Sequence, residues 1–291
     1  MSRVALEPIP PTDTRAFFRP LSAEFVALLR TLPADAWTRP TVAGTWRVRD
    51  VLAHLVDVTA RRLSFHRDGH QPPAFDGRSD FVTFINDLNA RWVAAAERMS
   101  PHVLTTLYST LSDDLATFVE AMPMDAPALF PVSWAGEDSS AGWFDVGREF
   151  TEAWHHQQQI RDAVGAPAPS NPEWLRAFLL IALRGLPHAY RDLRAAPGDT
   201  VVLRIAGPSG GVWTLRREAE KWSIWAGEPA EPASSQRGES KGPSAVAELS
   251  DDTAWRLLFN ALPPAAFRER VRITGNAELA AALGRARSVI V

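Results

Sequence analysis

Apolar residues recur at helical spacing through the first two thirds of the chain. Phe17, Leu21, Phe25, Leu28 and Leu29 predict a helix over about 20–31, with Pro20 near its start. Val48, Val51, Leu52, Leu55, Val58 and Leu63 predict a second, from a Thr45 N-cap to Gly69. Phe81, Phe84, Ile85, Leu88, Trp92 and Val93 mark a third over about 79–99. Ser100 and Pro101 open a fourth segment, in the order expected of a cap and first turn. DVGREFTEAWHHQQQIRDAVG, residues 145–165, reads as about five helical turns stopped by Gly165 and a Pro-rich break. A further helix over about 173–194 is interrupted near Gly185–Pro187. Residues 1–12 read as an irregular Pro-rich lead-in.

The period changes near Ala195–Asp199. TVVLRIAG, GVWTLRRE, KWSIWAG, SAVAELS and RVRITG alternate as strands do, and PSGG joins the first two as a hairpin. DDTAWRLLFNAL and NAELAAALGRA read as helices, and EPASSQRGESKGPS as a flexible loop. The chain is therefore expected to be mainly α with a smaller α+β domain: a helical bundle over 1–196, then residues 197–291. Gly207, Gly210 and Gly211 lie in the hairpin and do not precede a helix, so they form no nucleotide loop.

Composition narrows the chemistry. At 291 residues and net charge −3, nothing points to nucleic acid as a partner. No apolar run reaches membrane length and no signal pattern opens the chain, so a cytoplasmic location is expected. There is no cysteine, which excludes disulfides, Cys-ligated metals and a protein thiol nucleophile. Any thiol chemistry must use a thiol carried by a small molecule.

Candidate ligands stand out on the helix at 145–165. Glu152 and His156, four residues apart, project to one side and can hold two corners of a divalent metal. A solvated pair is the plainer account of that spacing. His155 is a rival, because Glu-x-x-His is also a metal geometry, and Glu149 shares the side of His156. On the second helix His54 faces inward, as a core histidine or as a third ligand, and Asp57 could orient its ring. His66 and His70 read as surface residues, as do Asn89 and Arg91, although the latter two could reach a ligand. Trp134 and Trp143 wall a pocket or simply pack.

Three stretches carry a resemblance. TWRVRDVLAHL resembles the second-helix motif of DinB-like proteins, REFTEAWHHQQQIRDAVG the third-helix motif of the mycothiol-dependent maleylpyruvate isomerase branch, and RVRITGNAELAAAL the end of its sterol-carrier-like domain. The resemblance implies a DinB-like four-helix bundle followed by a sterol-carrier-like α+β domain. It implies a divalent metal, usually zinc, on His54, Glu152 and His156, with the fourth position left to water or a thiolate. It implies a low-molecular-weight thiol such as mycothiol as co-substrate and a small electrophile as substrate, isomerised or conjugated. The alternative is a small-molecule or lipid-binding protein with a structural or vestigial metal. One departure bears on the substrate. The C-terminal arginine that helps hold the diacid in the isomerases has no clear match in WRLLFNALPPAAF, where Arg256 comes early and Arg268 and Arg270 late.

Overall fold

In the computed structural model, residues 6–71, 77, 80–229 and 243–289 are described. The chain divides into two compact units. One comprises residues 13–130 and 140–170, and the other 1–12, 131–139 and 171–290. The stretch read as a flexible loop lies almost wholly outside the described residues.

The first unit is helical. Its elements are α1 (Phe18–Thr31), α2 (Val48–Arg62), α3 (Phe81–Ala96), α4 (Pro101–Glu120) and α5 (Gly142–Val164). α1, α4, α2 and α5 pack in a ring as a four-helix bundle, and α3 lies against α2. Phe25, Leu52, Leu55, Leu104, Tyr108 and Ile160 are sealed in its core. Phe25 meets the Tyr108 ring edge-on at 5.6 Å, a favourable aromatic geometry. Ser100 caps α4 through Val103 N–H, with Pro101 in the first turn, as expected. α5 ends where Gly165 takes φ 71°, a left-handed conformation that glycine adopts without a Cβ clash.

Two local details differ from the sequence reading. α2 is capped by Arg47 and Asp50, not by Thr45: the Asp50 carboxylate accepts the Arg47 backbone N–H at 3.0 Å and its Nε at 2.7 Å. A charged box thus starts the helix two residues later. His66 is not a surface residue. α2 runs on into a π-turn over Leu63–Arg67, which turns His66 inward so that Nε2 meets Arg62 Nη1 at 2.8 Å. His70 is exposed, as expected.

α5 is buried on nearly every side, although about half of it is polar. Its N-terminal half is tied to α2 by a buried ionic cluster. Asp145 accepts Arg62 Nη1 and Arg148 Nη2, each at 2.6 Å.

In the second unit a six-stranded sheet has the order β1-β4-β3-β2-β5-β6. The strands are β1 (Glu7–Pro8), β2 (Thr200–Ala206), β3 (Gly211–Arg217), β4 (Trp222–Ala226), β5 (Ala245–Ser250) and β6 (Arg272–Gly275). β2 and β5 are parallel and every other pair is antiparallel. β1 corrects the reading of residues 1–12 as irregular: Glu7 and Pro8 pair with Ala226 and Trp225. Helices α6 (Pro172–Ala182), α7 (Leu186–Ala189), α8 (Asp251–Leu258), α9 (Pro264–Arg270) and α10 (Ala277–Ala281) complete it. The helical part read from the sequence extends to 196, whereas the contacts gather α6 and α7 with the sheet. Ser209 Oγ donates to the Pro172 carbonyl at 2.7 Å, and Phe178 packs on Phe259 at 4.5 Å. Of the arginines weighed as anion holders, Arg256 is engaged by Asp252 at 2.9 Å and lies over the Trp255 ring, and Arg270 lies 3.8 Å from Asp252. No helix among the described residues is long and apolar enough to cross a membrane.

Removing one partner of a buried ion pair strands the other charge, at a cost of about 3–5 kcal/mol. Asp145→Ala, which would strand Arg62 and Arg148, is expected to lower unfolding stability by about that amount in denaturant titrations. A loss under about 1 kcal/mol would show that the cluster does not hold α5 to α2.

Candidate metal centre

α2 and α5 run antiparallel and bring three side chains to one point. His54 Nε2 lies 3.1 Å from Glu152 Oε1, and His156 Nε2 lies 3.2 Å from the same oxygen. The three ligand atoms are within 4.8 Å of one another. His54 and His156 are buried and Glu152 is 27% exposed, so the group has one open side. Trp46 packs beside it, its ring 5.0 Å from that of His54. All three residues singled out in the sequence are thus together.

Hydrogen bonds hold the rings in place. His156 Nδ1 lies 2.8 Å from Gln159 Oε1, which turns Nε2 toward the Glu152 oxygen. His54 Nδ1 is buried with no partner. Two imidazoles thus converge on one carboxylate oxygen, at 3.1 and 3.2 Å. Two imidazole nitrogens and one carboxylate oxygen are a donor set suited to zinc or a similar divalent ion, so the residues present fit such a metal.

Charge points the same way. Burial holds His54 down at about 4, so its ring is neutral at pH 7. Burial alone would raise Glu152, but the charge of His156 and hydrogen bonds from His156 and His54 outweigh it, keeping the carboxyl well below its ordinary value.

The rivals fall elsewhere. His155 is buried with Nδ1 on the Thr151 carbonyl at 2.9 Å, and that nitrogen is 3.9 Å from Glu152 Oε2. Its ring lies over His156 at 3.9 Å, so it backs the group from the side. Asp57 does not orient His54. It pairs with Arg61 at 3.1 Å, and Arg61 also donates to Asn89 at 2.8 Å. The orienting residue is Gln159, whose role the sequence signalled only by its place three residues after His156. Trp143 stacks on Phe144 at the first turn of α5, and Trp134 sits in a short turn over Ser133–Ala135.

A pH dependence follows. The unfolded His54 titrates near 6.5 and the folded one near 4, so between these values the unfolded chain binds the extra proton. The stability this group contributes is complete above about pH 6.5 and is lost as pH falls through about 4. Thermal melts of metal-stripped wild type are expected to fall more steeply across this window than those of His54→Gln, which cannot charge. Parallel curves would contradict the assignment.

Residues 18–161, which span α1 to most of α5, match the family profile described as the mycothiol maleylpyruvate isomerase N-terminal domain. Uncharacterized proteins from two strains of Mycobacterium tuberculosis are 26% identical over 202 residues, covering 68% of this chain and 75% of theirs. Among solved structures, the crystal structure of the mycothiol-dependent maleylpyruvate isomerase is similar with a TM-score of 0.53 at 13% identity, covering 89% of this chain and 91% of that one. A histidine-to-alanine mutant of that enzyme gives 0.52 at 14% over the same shares. Those structures share the mainly α fold with its smaller α+β part. The helical segment of this chain, residues 18–161, thus resembles the mycothiol maleylpyruvate isomerase N-terminal domain family.

Proposed function

We propose that this protein is a metal-dependent enzyme that uses a low-molecular-weight thiol, mycothiol or a close analogue, to isomerise or conjugate small electrophiles. The observation that carries the reading is the convergence of His54, Glu152 and His156 on one point, with Gln159 holding the His156 ring. Three protein ligands and an open side are the pattern of catalytic zinc, whereas structural sites close all four positions. In this reading His54, Glu152 and His156 hold the ion. Its positive charge lowers the pKa of a thiol in the open position.

The chain's own residues supply the rest. With no cysteine in the sequence, the sulfur comes with the co-substrate. Low pKa values leave His54 a neutral imidazole and Glu152 a carboxylate at neutral pH, the forms that bind a cation. Trp46, beside His54, gives the site an apolar wall on that side. The thiolate adds to an electrophilic carbon. Expulsion of the sulfur after bond rotation gives isomerisation, and its retention gives conjugation.

The test is consumption of a maleyl-type electrophile by zinc-loaded protein with and without mycothiol. Loss of substrate should require the thiol. It should fall at least about a hundredfold, the usual scale of a lost electrostatic contribution to catalysis, in His54→Ala and His156→Ala, and survive largely in His155→Ala. Thiol-independent turnover, or loss in His155→Ala alone, would contradict the reading.

A further inference from the structure

One buried acid near the three ligands has no structural task. Glu149 is nine-tenths buried, and its carboxyl has no hydrogen bond or ion pair among the described residues. Its oxygens are not sealed from solvent, so the group is poorly hydrated yet open to an entering molecule. Glu149 lies on α5 three residues before Glu152 and seven before His156. Residues at these spacings share a side of a helix, with Cβ atoms about 5–6 Å apart across one turn.

The charged groups around it are defined. Arg62 reaches it from α2, and Arg148, Asp145 and Glu152 flank it on α5. Both arginines make their close contacts with Asp145 instead. They hold Glu149 in a positive field without occupying its oxygens. Burial raises the Glu149 carboxyl above its ordinary value, and Arg62 and Arg148 oppose the rise. The other acids and bases nearby are committed: Asp145 to two arginines, Asp57 to Arg61, and His54, Glu152 and His156 to each other. His155 is held at about 3 by burial, a weak base, with Nδ1 on a backbone carbonyl.

We propose that Glu149 is the proton acceptor for the thiol. The inference rests on the thiol-dependent reading above. As the thiol enters beside Glu152, its S–H bond breaks, the electron pair stays on sulfur, and an O–H bond forms on Glu149. In conjugation a C–S bond forms at one carbon of the electrophile, and the adjacent carbon takes the proton back from Glu149. In isomerisation the C–S bond breaks again, and the proton returns to sulfur when the thiol leaves. No other reactant is needed. A raised carboxyl suits this task, being a stronger base than a free one.

The test counts protons. Mycothiol, with 2-mercaptoethanol as a second probe, is titrated calorimetrically into zinc-loaded wild type and Glu149→Gln in buffers of differing ionisation enthalpy. Wild type should keep the thiol proton, and the variant should release about one more per thiol bound. Glu149→Ala, which differs in volume, should behave as Glu149→Gln does and guards against a folding defect in either. Equal proton release in wild type and a variant that still holds zinc would overturn the proposal. Failure of zinc-loaded wild type to bind either thiol would overturn the thiol-dependent reading itself, and this one with it.

Discussion

The pairing of α2 with α5 is the constraint on which the first unit depends. The two helices run antiparallel, and two polar contacts cross between them at different levels. Midway along α2, His54 meets Glu152. Near its end, Arg62 meets Asp145. The second contact is buried on both sides and fixes the register in which the first is made. A slide of one helical turn, about 5.4 Å, would separate the two histidines from their common oxygen. Stability and site geometry therefore rest on one interface.

This also accounts for the composition of α5. A central bundle helix would ordinarily be apolar all round, yet α5 buries Asp145, Glu149, His155, His156 and three consecutive glutamines. Buried polar groups are tolerated where they are satisfied. Asp145 has two arginines, Gln157 has Tyr108 and Gln159 has His156. Other atoms have no partner: the Nδ1 of His54 on α2 and, on α5, Gln157 Oε1 and Gln158 Nε2, while the Glu149 carboxyl makes no hydrogen bond or ion pair among the described residues.

Much of this was readable from the chain. Helical spacing located α1 to α5, and the four-residue step from Glu152 to His156 placed them on one side. The inward face of His54 followed from its place between Val51 and Val58. What periodicity could not supply was contact between elements. Asp57 was as well spaced as any residue to orient His54, but Arg61, four residues on, takes it. His66 looked like a loop residue because its inward turn comes from a π-turn that no residue pattern announces. β1 is two residues beside Pro10 and Pro11, too short to alternate, and exists only because β4 offers an edge. The grouping of α6 and α7 with the sheet depends on contacts such as Phe178 on Phe259, made across a long stretch of sequence.

The central claim is that His54, Glu152 and His156 hold a metal. Elemental analysis of purified wild type beside Glu152→Ala tests it most directly. About one equivalent of zinc or a similar divalent ion per chain, lost in the variant, is the result the account predicts. Wild type that holds no metal even after reconstitution, or a variant that holds as much as wild type, would contradict it.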